Sequence, residues 1–229
     1  PERTELEEAL LRVIDGATTS VDVALYGLDR QSVVQALVAA HQRGVTVRVV
    51  GDDDASQTAS YLAYYQALRD AGITIALDAS PDIQHNKFLV ADQHVTWTGS
   101  TNLTDNCITL NANNSIIITS TVLAATYTAE FEEMWNGAFH TAKTDNTAHR
   151  FDFQGTQVES YFSPTDLVAF EVWDELGRTT ESLHFAMFYW TDEVLTQRVM
   201  ERLTEGVAVY GVWDQLGAGN AASPDEQLC

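Results

Sequence analysis

Histidine 85, lysine 87 and aspartate 92 stand in the spacing H-x-K-x4-D, and Gly99-Ser100-Thr101-Asn102 follows after a gap of six residues. An imidazole near neutral pH can attack an electrophile or pass a proton. An ammonium can neutralise an oxyanion that gains charge in a transition state, and a hydroxyl and an amide can donate to it. Gathered round one phosphate, His85, Lys87, Ser100 and Asn102 are what phosphodiester chemistry without a metal needs. No metal ligand set and no cofactor is expected. Asp92 has two readings, orienting the local network or making a turn, since aspartate serves turns readily.

These side chains need a scaffold that brings them together. Lys87–Ala91 and His94–Thr98 are short β-prone runs with Asp92-Gln93 between them, which predicts strand, turn, strand. Residues i and i+2 of a strand share a face, so His85 and Lys87 project together. Ser100 and Asn102 do the same if the strand continues past Thr98. Gly99 admits a close backbone approach where a side chain would obstruct.

The segment HNKFLVADQHVTWTGSTN resembles the phospholipase D superfamily, whose HKD motif is H-x-K-x4-D-x6-G-S-x-x-N or the shorter G-S-x-N form. His85, Lys87, Asp92, Gly99, Ser100 and Asn102 all match, with no insertion or deletion. The resemblance implies one active site built from two such motifs, from two halves of one chain or from two identical subunits. It implies that one histidine attacks phosphorus to give a phosphohistidine while the other protonates the leaving alcohol. Water or another alcohol then displaces the enzyme. The sequence departs from many single-motif nucleases of the family at one place. Asn113 stands where those have a glutamate supporting the histidine, and an amide stabilises a charged imidazole less well.

An internal repeat organises the chain. Val21–Asp52 and Leu183–Asp214 align without a gap, each reading strand, helix, glycine, strand. Gly44 and Gly206 sit where a helix C-cap glycine belongs. Each copy is a βαβ unit, which implies parallel strands. Helices are expected upstream of each copy (Glu5–Gly16, Asp166–Gly177), and also at Tyr61–Ala71 and Thr121–Trp135. Ile73–Leu77 and Asn114–Thr119 read as strands, and Val158–Ser163 as extended. The expected class is α/β: a mixed, largely parallel sheet flanked by helices on both faces, followed by a partial second copy. The expected organisation is a phospholipase D-like domain at 1–142, a polar linker at 143–156 and an incomplete second repeat at 157–229. At the repeat offset, a second counterpart of His85 would fall beyond Cys229. The chain thus looks like the N-terminal portion of a two-motif protein, or a fragment that pairs with itself.

Charge narrows the partner. The formal net charge is −21, and only two lysines are present, Lys87 and Lys143. An acidic surface repels nucleic acid, whose binding draws on cationic contacts. It also repels anionic headgroups, and solubility in high salt is an ordinary reason for such a surface. The favoured reading is a phosphodiesterase hydrolysing or transferring phosphatidyl groups, with a phospholipid as substrate. The alternatives are a metal-independent endonuclease acting on nucleic acid, and a catalytically weak half-site fragment. No apolar run is long enough for a transmembrane helix, so no stable membrane insertion is expected. A soluble protein is expected, secreted or peripheral to the membrane, and the compartment is not readable. Cys107 and Cys229 give no disulfide framework. Asp52-Asp53-Asp54 reads as helix-capping acids or a cation site. Tyr61, Tyr64 and Tyr65 read as core or as the lining of an acyl entrance, and His184 as a core histidine.

Overall fold

The computed structural model describes residues 4–219, so Cys229 lies outside the described residues. The chain divides into two units, 1–165 and 166–229.

In the first unit, α1 (Glu5–Gly16) begins at Thr4, whose side chain accepts from the Glu7 amide. Glu5, Glu7 and Glu8 fill its first turn, where the helix dipole favours negative charge. Then come β1 (Ser20–Ala24), α2 (Gln31–Gln42), β2 (Thr46–Gly51), α3 (Asp53–Gln57), α4 (Leu62–Asp70) and β3 (Thr74–Leu77). Next are β4 (Phe88–Ala91), β5 (Val95–Gly99), α5 (Asp105–Thr109), β6 (Ser115–Thr119) and α6 (Thr121–Trp135). The hairpin β7 (Arg150–Phe153) and β8 (Thr156–Glu159) follows a 3-10 turn at His140–Ala142.

Six strands form one sheet in the order β3-β2-β1-β4-β5-β6. β1, β2 and β3 are parallel, while β4 is antiparallel to β1, β5 to β4 and β6 to β5. Four strands, β1, β2, β3 and β5, therefore run one way, and the sheet is mixed and largely parallel as expected.

Strand side chains alternate between two apolar layers, as a sheet covered on both faces requires. Val21, Val23, Val49 and Leu89 pack with Leu10, Leu37 and Leu68 of the helices on one face. Ala24, Val50, Phe88 and Val90 pack with Phe131 and Met134 of α6 on the other. Two buried carboxylates, Asp22 and Glu7, are paired with arginines, because an unpaired buried charge would cost several kcal/mol. Asp22, on the central strand, takes two hydrogen bonds from Arg48 at 2.7 and 2.9 Å, and Arg48 also reaches Glu132 of α6 at 2.7 Å. Glu7 holds Arg30 at 2.9 and 2.5 Å, and Arg30 also bonds Asp105 of α5 at 3.0 Å.

The stretch 143–156, expected to be a linker, carries β7. The extended stretch expected to open the second repeat pairs back as β8, so the division falls at Thr165 instead. Polar composition hid this hairpin because its strands alternate, with Arg150 and Asp152 exposed.

The second unit contains α7 (Val168–Arg178), β9 (Ser182–Met187), α8 (Glu193–Thr204), β10 (Ala208–Trp213) and the short α9 (Gln215–Ala218). β9 and β10 are parallel with Leu183 opposite Val209, the βαβ unit that the repeat predicts. Its small core centres on Leu176, Trp190 and Val199. Among the described residues, no helix is long and apolar enough to cross a membrane.

Candidate active site

Strand register gathers the site. Phe88 of β4 pairs with Thr98 of β5 and with Ala24 of β1. The residues just before β4, just after β5 and just after β1 therefore meet at one end of the sheet. His85 and Lys87 come from the first, Ser100 and Asn102 from the second, and Tyr26 from the third.

The histidine is exposed at one edge and meets the Tyr26 ring edge-on, centroids 4.9 Å apart and planes at 72°. Lys87 Nζ lies over the same tyrosine ring, 5.8 Å from its centroid, and donates to the His85 carbonyl oxygen at 2.7 Å. Loss of water around the imidazole, then the adjacent Lys87 charge, lower the His85 pKa, against an opposing pull from Asp52. Desolvation also brings the Lys87 ammonium down to about 8, with Cys107 pulling the other way. Near pH 7 the site thus holds a neutral imidazole beside a cation, a pair chemically able to attack an electrophile and to neutralise an oxyanion.

The loop carrying His85 is fixed from behind. Gln84 is buried; its amide N–H donates to Asp52 Oδ2 at 3.1 Å and its side chain to the Leu25 carbonyl at 3.2 Å. Asp52 caps α3 by accepting from Ala55 at 2.7 Å, the capping reading of the acidic triplet. Asn86, between the two motif residues, donates to Gln84 Oε1 at 2.5 Å and to Glu130 Oε1 at 3.5 Å. Glu130 in turn pairs with buried Lys143 at 2.6 Å. Both lysines of the chain therefore serve this loop, one at its face and one beneath it.

Asp92 is not at the site. It begins the β4–β5 turn at the far end of β4, ~13 Å away for four residues at 3.3 Å each. It has φ +53° and Gln93 φ +51°, the two left-handed residues of a tight hairpin. Its carboxylate accepts from the amides of Thr18, Thr19 and Ser20 at 2.8 to 3.1 Å and from the hydroxyls of Thr18 and Thr19. Burial would raise its pKa, but these donors outweigh it and hold the carboxyl far below the usual range. Of the two readings of Asp92, these contacts are those of the structural one: it ties the start of the central strand to the hairpin.

β5 ends at Gly99, so Ser100 and Asn102 lie in a loop and not on an extended strand. Gly99 has φ +152°, and a Cβ there would collide with the Asn114 carbonyl oxygen of β6's approach. The close approach expected of this glycine is made by the protein's own backbone. Ser100 Oγ donates to Asn113 Oδ1 at 2.9 Å and accepts from the Asn114 amide at 3.1 Å. Asn113 Nδ2 donates to the Cys107 carbonyl at 3.1 Å. Asn113 thus holds the serine loop, not the His85 ring it was expected to support. Asn102 Nδ2 donates to Cys107 Sγ at 3.5 Å, and its buried Oδ1 has no partner among the described residues.

Sequence reasoning missed Tyr26, the contact of Cys107 with Asn102, and the Gln84–Asp52 and Asn86–Glu130–Lys143 supports. One signal for Tyr26 was present: the repeat places it opposite Phe188, an aromatic at the same register in each copy. Tyr65 belongs to the core, while Tyr61 and Tyr64 pack against it partly buried. His184 is not a core residue; it is exposed and stacks on Tyr210 at 4.8 Å.

Residues 10–135 match the family described as "Cardiolipin synthase, PLD-like domain". The chain is 35% identical over 126 residues to a mitochondrial cardiolipin hydrolase of Xenopus laevis, covering 55% of this chain and 59% of that protein. It is 32% identical over 118 residues to a phospholipase D of Rickettsia prowazekii, covering 52% and 57% respectively. The chain thus spans little more than half the length of these curated relatives. Among solved structures it is similar to the phospholipase D family member Nuc from Salmonella typhimurium. The TM-score is 0.55 at 31% identity, over 57% of this chain and 88% of that one. More than half of the chain lies within one family match that spans the whole His85–Asn102 segment, so the protein belongs to the PLD-like domain family of the phospholipase D superfamily.

Proposed function

We propose that the protein is a phosphodiesterase of phospholipase D type that cleaves phosphatidyl groups through a phosphohistidine. One observation carries this reading: the His85 imidazole, its pKa lowered by partial loss of water and by the neighbouring charge, sits beside the Lys87 ammonium at the sheet end where Ser100 and Asn102 also lie. A nitrogen of His85 attacks phosphorus, the P–O bond to the leaving alcohol breaks, and an N–P bond forms. Lys87 leaves its carbonyl partner to bind the phosphoryl oxygens. The leaving oxygen takes a proton from a second histidine, brought by a second HKD motif in a longer chain or another subunit. Water then attacks phosphorus, the N–P bond breaks and the water's proton passes to the second histidine, releasing phosphatidate and restoring both histidines.

A phospholipid fits better than nucleic acid, because a chain of net charge −21 lacks the cationic surface that polynucleotide binding uses. The relatives named cardiolipin hydrolase and phospholipase D support the same choice. The unit 166–229 repeats the strand–helix–strand of the first, which supports reading it as part of a second PLD-like copy.

The test is cleavage of cardiolipin or phosphatidylcholine vesicles against single-stranded DNA, all in EDTA, with sizing to detect self-pairing. Lipid cleavage with an acid-labile, alkali-stable phosphoryl label on the protein is expected. Cleavage of DNA alone would replace this reading with the nuclease one, and loss of cleavage in EDTA would refute metal-free chemistry.

A further inference from the structure

The side chain that meets both His85 and Lys87 belongs to neither motif nor turn. Tyr26 follows β1, and the segment carrying it is tightly held. Leu28 bridges Leu103 in parallel, and the amides of Asp29 and Arg30 both donate to the Leu103 carbonyl at 3.1 Å. Asp29 Oδ1 accepts from the Asp105 amide at 2.6 Å. At Gly27 a Cβ would press on the side chains of Thr104 and Tyr61. The backbone under Tyr26 is thus clamped to the residues that follow Asn102, and its ring is presented to His85 and Lys87 from a rigid base.

We propose that Tyr26 is a positioning residue of the site, its ring seating the His85 imidazole by edge contact while facing the Lys87 ammonium. The proposal rests on the phosphodiesterase reading above. An aromatic edge is positive and its face negative, so edge-on packing fixes ring orientation and the face attracts a cation. Where the ring packs on the imidazole it covers part of that surface, and lost hydration favours the neutral form. The charged and titratable groups around His85 are Lys87 beside it, Asp52 behind it and Tyr26 itself, with Cys107 facing Lys87 and Tyr61 beside Tyr26. Of these, Asp52 alone favours the imidazolium. The repeat gives independent support. Phe188 holds the corresponding position directly after β9, so the ring recurs in the second unit and the hydroxyl does not.

The experiment titrates the His85 ring by NMR, its resonance assigned by loss in His85→Gln, in the parent, Tyr26→Phe, Tyr26→Leu and Tyr26→Ala. The same proteins are assayed on cardiolipin vesicles across pH. With Ala or Leu, the His85 midpoint moves up towards its ordinary value. The acid limb of kcat/KM moves up with it, because more imidazole is protonated at a given pH. Turnover falls roughly tenfold to a hundredfold with KM little changed, as for a misaligned nucleophile. Tyr26→Phe restores the parent's midpoint. An unchanged His85 midpoint in folded Tyr26→Leu, or Tyr26→Phe behaving like Tyr26→Leu, overturns the proposal. The titration needs no substrate, so a parent protein inactive on lipid would sink the functional reading and leave this one to be decided by the NMR alone.

Discussion

Lys87 donates to the backbone carbonyl of His85, the residue two positions before it, at 2.7 Å. The bond folds the lysine across the histidine's own main chain and holds its ammonium over Tyr26. Lys87→Met removes the cation that meets developing charge on phosphate, and kcat should fall on the order of 10²–10³-fold, as for loss of one oxyanion donor. His85→Ala should abolish turnover and labelling together. Steady-state rates on vesicles check both, and a His85→Ala protein as fast as the parent would remove the nucleophile.

His85 and Lys87 also set a pH window. His85 titrates below its ordinary 6.5 and must be neutral to attack, so kcat/KM should rise through the acid limb there. Lys87 loses its proton near about 8, so kcat/KM should fall above that pH. Lys87→Arg keeps its charge at all these pH values. Whatever its absolute rate, that variant should lose the alkaline limb, and an unchanged limb would assign it to another group.

Asp92→Asn separates stability from chemistry. The carboxylate's folded pKa is depressed, so its stabilisation is full above the ordinary carboxylate range and is lost as pH falls through and below that range. The substitution should cost about 2–3 kcal/mol at pH 7, the scale for hydrogen bonds to a charged group whose donors become partly unsatisfied. The deficit should shrink in acid. Rate per folded molecule should stay near that of the parent. Urea unfolding at pH 7 and pH 4, with rates normalised to folded protein, reads both.

Glu130 and Lys143 form a buried pair at 2.6 Å beneath the motif loop. Lys143→Met leaves a buried carboxylate without its cation and should cost ~3–5 kcal/mol. Joining it to Glu130→Leu should recover much of that loss, because two apolar groups replace a pair whose desolvation was costly. The double variant still lacks the Glu130 contact to Asn86. A double-mutant cycle in stability, with kcat measured in parallel, distinguishes a foldedness effect from a loop-placement effect.

Gly99→Ala should be among the most damaging single changes. Its φ of +152° strains any side chain, and the new methyl would enter the Asn114 carbonyl. A large fall in thermal midpoint, or failure to fold, is expected. A melting curve matching the parent's would contradict the close β5–β6 approach.

Much was legible in the order of residues. The H-x-K spacing and the GSTN tail marked the family, and the gapless alignment of Val21–Asp52 with Leu183–Asp214 gave two βαβ units. Local periodicity decides such features, because helix and strand spacing is written along the chain. α1 falls on the expected residues, and the β4–β5 hairpin turns at Asp92-Gln93 as read.

What the chain could not reveal depended on neighbours far away in sequence. Asp92 matches its motif position, yet only the pairing of β1 with β4 brings Thr18, Thr19 and Ser20 to it and removes it from the site. Asn113 stands where an acid was expected to support His85, and loop closure turns it on Ser100 instead. Tyr26 lies 59 residues before His85 (85 − 26) and meets it because both flank the same pair of central strands. Spacing names the groups able to react, whereas burial, strand register and packing decide which of them meet, and which are neutral or charged when they do.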